Sequence, residues 1–249
     1  MKIVFTLPAI IYLKRRNSCS INTAKEQLLK VLEPYNSKFP QKFRIKITKN
    51  NIWNGRHISD RAVEISSKYV LDLSSNFSDT GRAILECLGH EFGHGKAYFH
   101  LPFFFALKSI FLKLSSKKEK FKYRCIEVFC DHNSISFTGF TEEEHKTILS
   151  WHLKEKKSER TDLYHPTWSE RINYIEKPFD ENLIRQIATD NGYKNEKEIK
   201  KVIAYFDKVK EKDGYVLKRE KILTFLSAAF TIFLFLSFIF ILCNFQRII

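Results

Sequence analysis

From Ile222 to Cys243 the chain runs through 22 residues, ILTFLSAAFTIFLFLSFIFILC, without a charged side chain. Wound as an α-helix at ~1.5 Å per residue, this run reaches ~33 Å, enough to cross a hydrocarbon core of ~30 Å. A fully apolar run of that length reads as one transmembrane helix rather than a core helix. Lys208, Lys210, Lys212, Lys218, Arg219 and Lys221 precede it, and only Arg247 follows. Basic flanks stay on the cytoplasmic side. The expectation is a single-pass membrane protein with a C-terminal anchor at 222–243 and a domain of residues 1–218 facing the cytoplasm. The sequon Asn76-Phe77-Ser78 would then never meet the glycosylation machinery.

The anchor also bears on the charge. With 42 Lys and Arg against 28 Asp and Glu, the net charge is +14, spread along the chain. Such a surface suits nucleic acid or an anionic leaflet. No zinc-finger spacing or aromatic-basic RNA motif is present, so the expected partner is the lipid bilayer and no nucleic acid. The five cysteines, Cys19, Cys87, Cys125, Cys130 and Cys243, are odd in number and form no C-x-x-C pair. They read as reduced thiols, not as a disulfide framework. Met1 to Leu13 is apolar, is interrupted by Pro8 and meets Lys14-Arg15-Arg16. Its charge follows the apolar run, the reverse of a secretion signal, so it reads as a core or membrane-surface segment. Leu101 to Leu114 is apolar but too short to cross a bilayer. It reads equally as a lid, a core segment or an interfacial helix.

Between these segments the patterning predicts an α+β domain. Thr23–Leu32 is an amphipathic helix ended by Pro34. Phe43–Thr48 and Ala62–Ile65 alternate as half-buried strands, with a turn signal at Asn54-Gly55. A helix capped at Ser78-Asp79 runs to about Phe99, with Ile84, Leu88 and Phe92 on one stripe. Lys122 to about Ser136, Glu142–Lys156 and a short piece from Arg171 to Ile175 follow. A charged helical extension over 181–212 leads to the apolar run. Strands first and helices later give a small antiparallel edge sheet beside a helical C-terminal half.

The chemistry is concentrated in His90-Glu91-Phe92-Gly93-His94. Two histidines four apart on a helix project from one face and can reach one Zn²⁺ at ~2.0–2.1 Å each. Glu91 points elsewhere and can act as a general base for an attacking water. The surrounding CLGHEFGHGKA is apolar and small, and burying these three side chains with no metal would be costly. A catalytic zinc needs a third protein ligand. His100 occupies the third-histidine position of H-E-x-x-H-x-x-G-x-x-H, but Ala97 replaces the helix-breaking Gly and no methionine turn follows. Glu127, in Glu127-Val128-Phe129-Cys130-Asp131, is the stronger candidate. Asp131 lies on the same helix face and can accept the spare N–H of a ligand histidine.

H-E-x-x-H followed by E-x-x-x-D resembles the gluzincins. Farther on, His165-Pro166-Thr167-Trp168-Ser169-Glu170-Arg171-Ile172 resembles the H-P-x-x-x-E-R-[IL] element of the gluzincin family that contains the type I CaaX prenyl endoproteases and the HtpX-like membrane heat-shock proteases. The three elements fall in family order between about residues 43 and 176. The resemblance implies a zincin-like domain with one Zn²⁺ per chain, held by His90, His94 and Glu127. It implies Glu91 as base, Asp131 orienting His90, and His165 and Arg171 facing the reacting carbonyl. Two departures are visible. Family members usually carry several membrane spans, whereas here only 33 positions separate His94 from Glu127. Cys130 also stands where Ala is usual.

The function these observations imply is a membrane-anchored zinc endopeptidase acting on polypeptide. A regulatory peptidase specific for one repressor or partner, and a non-catalytic zincin-like binding module, are the alternatives.

Overall fold

The computed structural model describes residues 1–16, 20–59, 61–97, 117–156 and 165–211. All of them belong to one compact unit made of Met1–Ala97 and Ser116–Asp213. The fold is α+β, mostly helical around a small mixed sheet. Among the described residues no helix is long and apolar enough to cross a membrane. The 222–243 run and the 101–114 segment lie outside the described residues.

The apolar N-terminus forms strand β1 (Lys2–Phe5) and helix α1 (Leu7–Arg15). Pro8 sits in the first turn of α1, where its missing N–H costs no helical hydrogen bond. Ile3, Ala9 and Leu13 enter the core. Helix α2 (Ile21–Leu32) is capped by Ser20, whose hydroxyl accepts from the Thr23 amide at 3.1 Å. Its apolar stripe of Ala24, Leu28, Val31 and Leu32 is buried, and Pro34 falls in the 3₁₀ turn that ends it.

Strands β2 (Arg44–Thr48), β3 (Gly55–Ser59) and β4 (Ala62–Ser66) complete the sheet in the order β1-β2-β4-β3. The sheet is not antiparallel as expected. β1 and β4 both run parallel to β2, and only the edge pair β3–β4 is antiparallel. The cause is β3, which the sequence pattern did not reveal. Asn54-Gly55 read as a turn, so β2 and β4 looked like consecutive, opposed strands. Gly55 instead begins a strand, and this extra reversal returns the chain along β2. Ile45, Ile47, Val63 and Ile65 form the buried face. On the other face Glu64 accepts from its lateral neighbours, Lys46 at 2.7 Å and Arg56 at 2.6 Å. Burial opposes the charge on Glu64, but these two cations hold its carboxyl below the usual range.

Helix α3 (Ser67–Leu73) leads to helix α4 (Phe77–Lys96), capped by Asn76 two residues before the expected Ser78. Ile84, Leu88 and Phe92 are all buried, as their stripe predicts. Phe92 packs against Phe43 and Phe137 at ring separations of 5.0 and 5.2 Å. Helix α5 (Lys117–Thr138) crosses α4 closely because small residues meet there. A Cβ on Gly93 would lie 2.6 Å from the Cys130 Cα, and one on Gly89 would lie 2.8 Å from the Ser134 Cα. Two polar bonds lock the pair: Asn133 Nδ2 to the Gly89 carbonyl and Ser134 Oγ to the Glu86 carbonyl, both at 2.8 Å. Helices α6 (Glu142–Lys156), α7 (Trp168–Ile175), α8 (Glu181–Asp190) and α9 (Glu196–Glu211) follow. The expected 181–212 helical region is thus two helices, broken where Gly192 takes φ +61°. Phe121, Val128, Phe129, Phe179, Ile187 and Phe206 anchor a second apolar core among α5, α8 and α9.

The close crossing makes a measurable forecast. Gly93→Ala forces backbone apart and should cost ~1–3 kcal/mol by chemical denaturation. Gly81→Ala meets only the Val31 side chain, at 3.2 Å, and gains up to ~1 kcal/mol of helix propensity, so it should be near neutral. Equal stability of the two variants would refute the close-packed interface.

Candidate metal centre

The α4–α5 crossing brings the residues singled out by sequence to one place. His90 and His94 face the same way on α4, with ring centroids 4.9 Å apart. Glu127, from the facing turn of α5, presents one carboxylate oxygen to each ring. Its Oε2 is 3.3 Å from His90 Nε2 and its Oε1 is 3.5 Å from His94 Nε2. His165, half exposed at the start of the segment leading into α7, places Nε2 3.4 Å from the same Oε1.

These separations are longer than the usual N–H···O bond. They match the edge of about 3.3 Å expected between donors on a tetrahedral zinc with bonds of ~2.0–2.1 Å. The hydrogen bonds of His90 point the same way. Its Nδ1–H donates to Asp131 Oδ1 at 2.8 Å, which leaves the Nε2 lone pair directed at Glu127. An imidazole nitrogen and a carboxylate facing each other call for a proton or a metal cation between them. With protein groups alone around it, His90 is pushed up to about 10: burial opposes the charged ring, and the bonds to Asp131 and then Glu127 outweigh it. His94 falls to about 4 through burial, against the pull of Glu127. The field at His90 Nε2 therefore favours positive charge. Two imidazoles and an ionised carboxylate are an ordinary zinc donor set.

Cys130 is a rival third ligand, because its sulfur also lies within 4.8 Å of donor atoms of both histidines. Burial, then the charges of Glu127 and Asp131, raise its thiol well above the usual range. Glu127 behaves oppositely: burial works against its charge, but His94 and His90 hold the carboxyl well below its usual range. Glu127, with one oxygen facing each ring, is the ligand the geometry favours. His100, the other sequence candidate, lies outside the described residues.

Glu91 is buried one position along α4, against the bare backbone of Gly55 on edge strand β3. Burial raises its carboxyl to about 7, the charge of His90 opposes this, and a backbone bond from His57 lowers it as well.

Arg171 is not where the resemblance put it. Its Nε donates to Asp131 Oδ2 at 2.8 Å, and its Nη2 donates to Asp131 Oδ1. The guanidinium lies on the Nδ1 side of His90, away from the Nε2 edge, and stacks 4.2 Å from the Trp168 ring. It holds the carboxylate that orients His90 rather than facing a carbonyl. The cause lies in how α7 begins. Thr167 Oγ1 accepts from the Glu170 amide at 3.0 Å, and Glu170 Oε2 accepts from the Thr167 amide at 2.6 Å. This capping box starts the helix and turns Arg171 inward. Glu170 is fixed in turn by Arg124, 3.0 and 3.1 Å away.

Three residues near the centre escaped the sequence reading: Glu86, one turn before His90, and His145 and His152 on α6. The signal was available in the seven-residue spacing of the two histidines, which is two helical turns. The four carboxylates of Glu86, Glu91, Glu127 and Asp131 are all buried. Among the described residues, the buried guanidinium placed with them is Arg171, because Arg124 is spent on Glu170. The locality needs further positive charge.

Comparison of the chain with models of protein families, with curated sequences and with solved structures found no match.

Two outcomes are expected. Glu127→Gln should weaken zinc binding by more than ~100-fold in a competition titration, beyond the effect of losing an outer hydrogen bond, while Cys130→Ala stays near wild type. The reverse order would make the thiol the ligand. Arg171→Ala leaves the Asp131 carboxylate buried without its cation and should destabilise the fold by ~3–5 kcal/mol. An unchanged melting temperature would contradict the positioning role.

Proposed function

We propose that this chain is a zinc-dependent endopeptidase of the gluzincin type, tethered to a membrane by its C-terminal apolar run with the catalytic domain on the cytoplasmic side. The observation that carries the reading is the meeting of His90, His94 and Glu127 at zinc-like donor separations, with Glu91 buried beside them. The resemblance of the three sequence elements supports it. So does the lysine and arginine asymmetry around 222–243 for the orientation.

His90, His94 and Glu127 would hold the ion. When bound, zinc would polarise a scissile carbonyl and make water nucleophilic near neutral pH. The chain's own groups divide the remaining work. Glu91 accepts a proton from the attacking water and later delivers it to the leaving amine. A carboxyl raised toward 7 suits both halves of that exchange. Asp131 holds His90 with Nε2 forward, and Arg171 holds Asp131. His165 is the exposed donor on the Nε2 side, so it takes the carbonyl-facing role. Substrates are polypeptides that reach the cytoplasmic membrane surface.

Glu91→Gln keeps the side chain's size and removes its basicity. Peptide cleavage should fall by ~10²–10⁴-fold while zinc content is unchanged. Full turnover by this variant, measured on a peptide library, would remove the proposed proton acceptor.

A further inference from the structure

On the Asp131 side of His90 lies a polar cluster that the proposed hydrolysis does not use. Glu86 is 3% exposed, His145 0% and His152 5%. Both ring nitrogens of His145, both of His152 and Oε1 of Glu86 are buried with no hydrogen-bond partner. The three side chains nevertheless converge. His145 Nε2 is 3.8 Å from Glu86 Oε1, and His152 Nε2 is 3.4 Å from Glu86 Oε2. An Asp131 oxygen also lies within 4.8 Å of donor atoms of Glu86 and His145.

A His152–Glu86 ion pair accounts for one oxygen of Glu86, but Oε1 and both nitrogens of His145 remain without a hydrogen-bond partner. A buried polar group left unpaired destabilises a fold, and a charged one does so more. The His152 separation of 3.4 Å is close to the about 3.3 Å edge of a zinc tetrahedron, and that of His145, at 3.8 Å to the other oxygen of Glu86, is wider. The His152 ring is also held in orientation, stacked at 5.0 Å on Trp168 and met edge-on by Trp53 at 5.5 Å. Two imidazoles with carboxylate oxygens suit zinc-class ions; calcium and magnesium take oxygen donors.

We propose that Glu86, Asp131 and His145 bind a second divalent transition-metal ion, with His152 as the adjoining imidazole. Its donors are buried, which is the pattern of a structural site rather than a catalytic one. The ion ties α6 to α4 one turn before His90 and supplies positive charge beside Glu86 and Asp131. The inference does not depend on peptidase activity.

The test counts metal on the full chain purified in detergent, loaded with Zn²⁺ and dialysed, by elemental analysis, with Co²⁺ absorption as a second readout. Wild type should hold two equivalents. Glu86→Gln, which preserves side-chain volume, and His145→Phe, which fills the cluster with an apolar ring, should each hold one. His94→Ala should also hold one, and combining it with Glu86→Gln should leave none. A single wild-type equivalent that survives Glu86→Gln and disappears in His94→Ala overturns this proposal and leaves the peptidase centre standing. A single equivalent with the opposite response keeps the second site and removes the first. Two equivalents in both wild type and folded Glu86→Gln would also overturn it. Where Glu86→Gln fails to fold, His145→Phe reads the same site by the same count.

Discussion

Helices α4 and α5 lie against each other across Gly89 and Gly93, where Ser134 and Cys130 leave no room for a methyl group. The histidines and the carboxylates come from different helices, so their separation is set by how closely those helices pack. Larger residues at these glycines would widen the crossing, and Glu127 would no longer reach both rings. The bonds from Asn133 and Ser134 to α4 carbonyls fix the register as well as the distance. Cys130 and Gly93 therefore matter for packing independently of any ligand role.

Around that crossing the molecule gathers more negative than positive charge. Glu86, Glu91, Glu127 and Asp131 are withdrawn from water, and Arg171 is bound to one of them. A protein interior does not tolerate such an excess without cations or protons. Against the effect of burial, His90 is raised by its bonds to Asp131 and Glu127, and Glu91 is raised first by burial and then by Glu127. A bound divalent ion answers the same demand, and the proposed second ion extends that logic to Glu86, whose neighbouring histidines offer lone pairs. The capping box of α7 belongs to the same system, since it delivers the guanidinium that allows Asp131 to stay charged and hold His90.

Where sequence reasoning succeeded, the interaction was local. The helix of His90 and His94, the buried stripe of Ile84, Leu88 and Phe92, and the helices over 21–32 and 142–156 follow from spacing and caps within one segment. It failed where a partner from elsewhere decided the outcome. Gly55 carries a turn signal, yet it pairs with Ile65 at the start of β3, where Cys87 and Glu91 of α4 occupy the space a side chain would need. Missing that strand turned a mixed sheet into an antiparallel one. Arg171 was assigned by resemblance to a carbonyl-facing position, and its actual place depends on Asp131, forty residues earlier and on another helix.

The sequence by itself determined the inventory and its local phase. It placed His90, Glu91 and His94 on one helix, and Glu127 and Asp131 on another, because helical periodicity is a property of neighbouring residues. Only the tertiary structure decided that the two helices face each other closely enough for Glu127 to meet both rings, that Arg171 supports rather than confronts the centre, and that Glu86, His145 and His152 converge. Those are contacts between residues 33 or more positions apart along the chain, and their distances are set by the packing of whole elements, which no local pattern encodes.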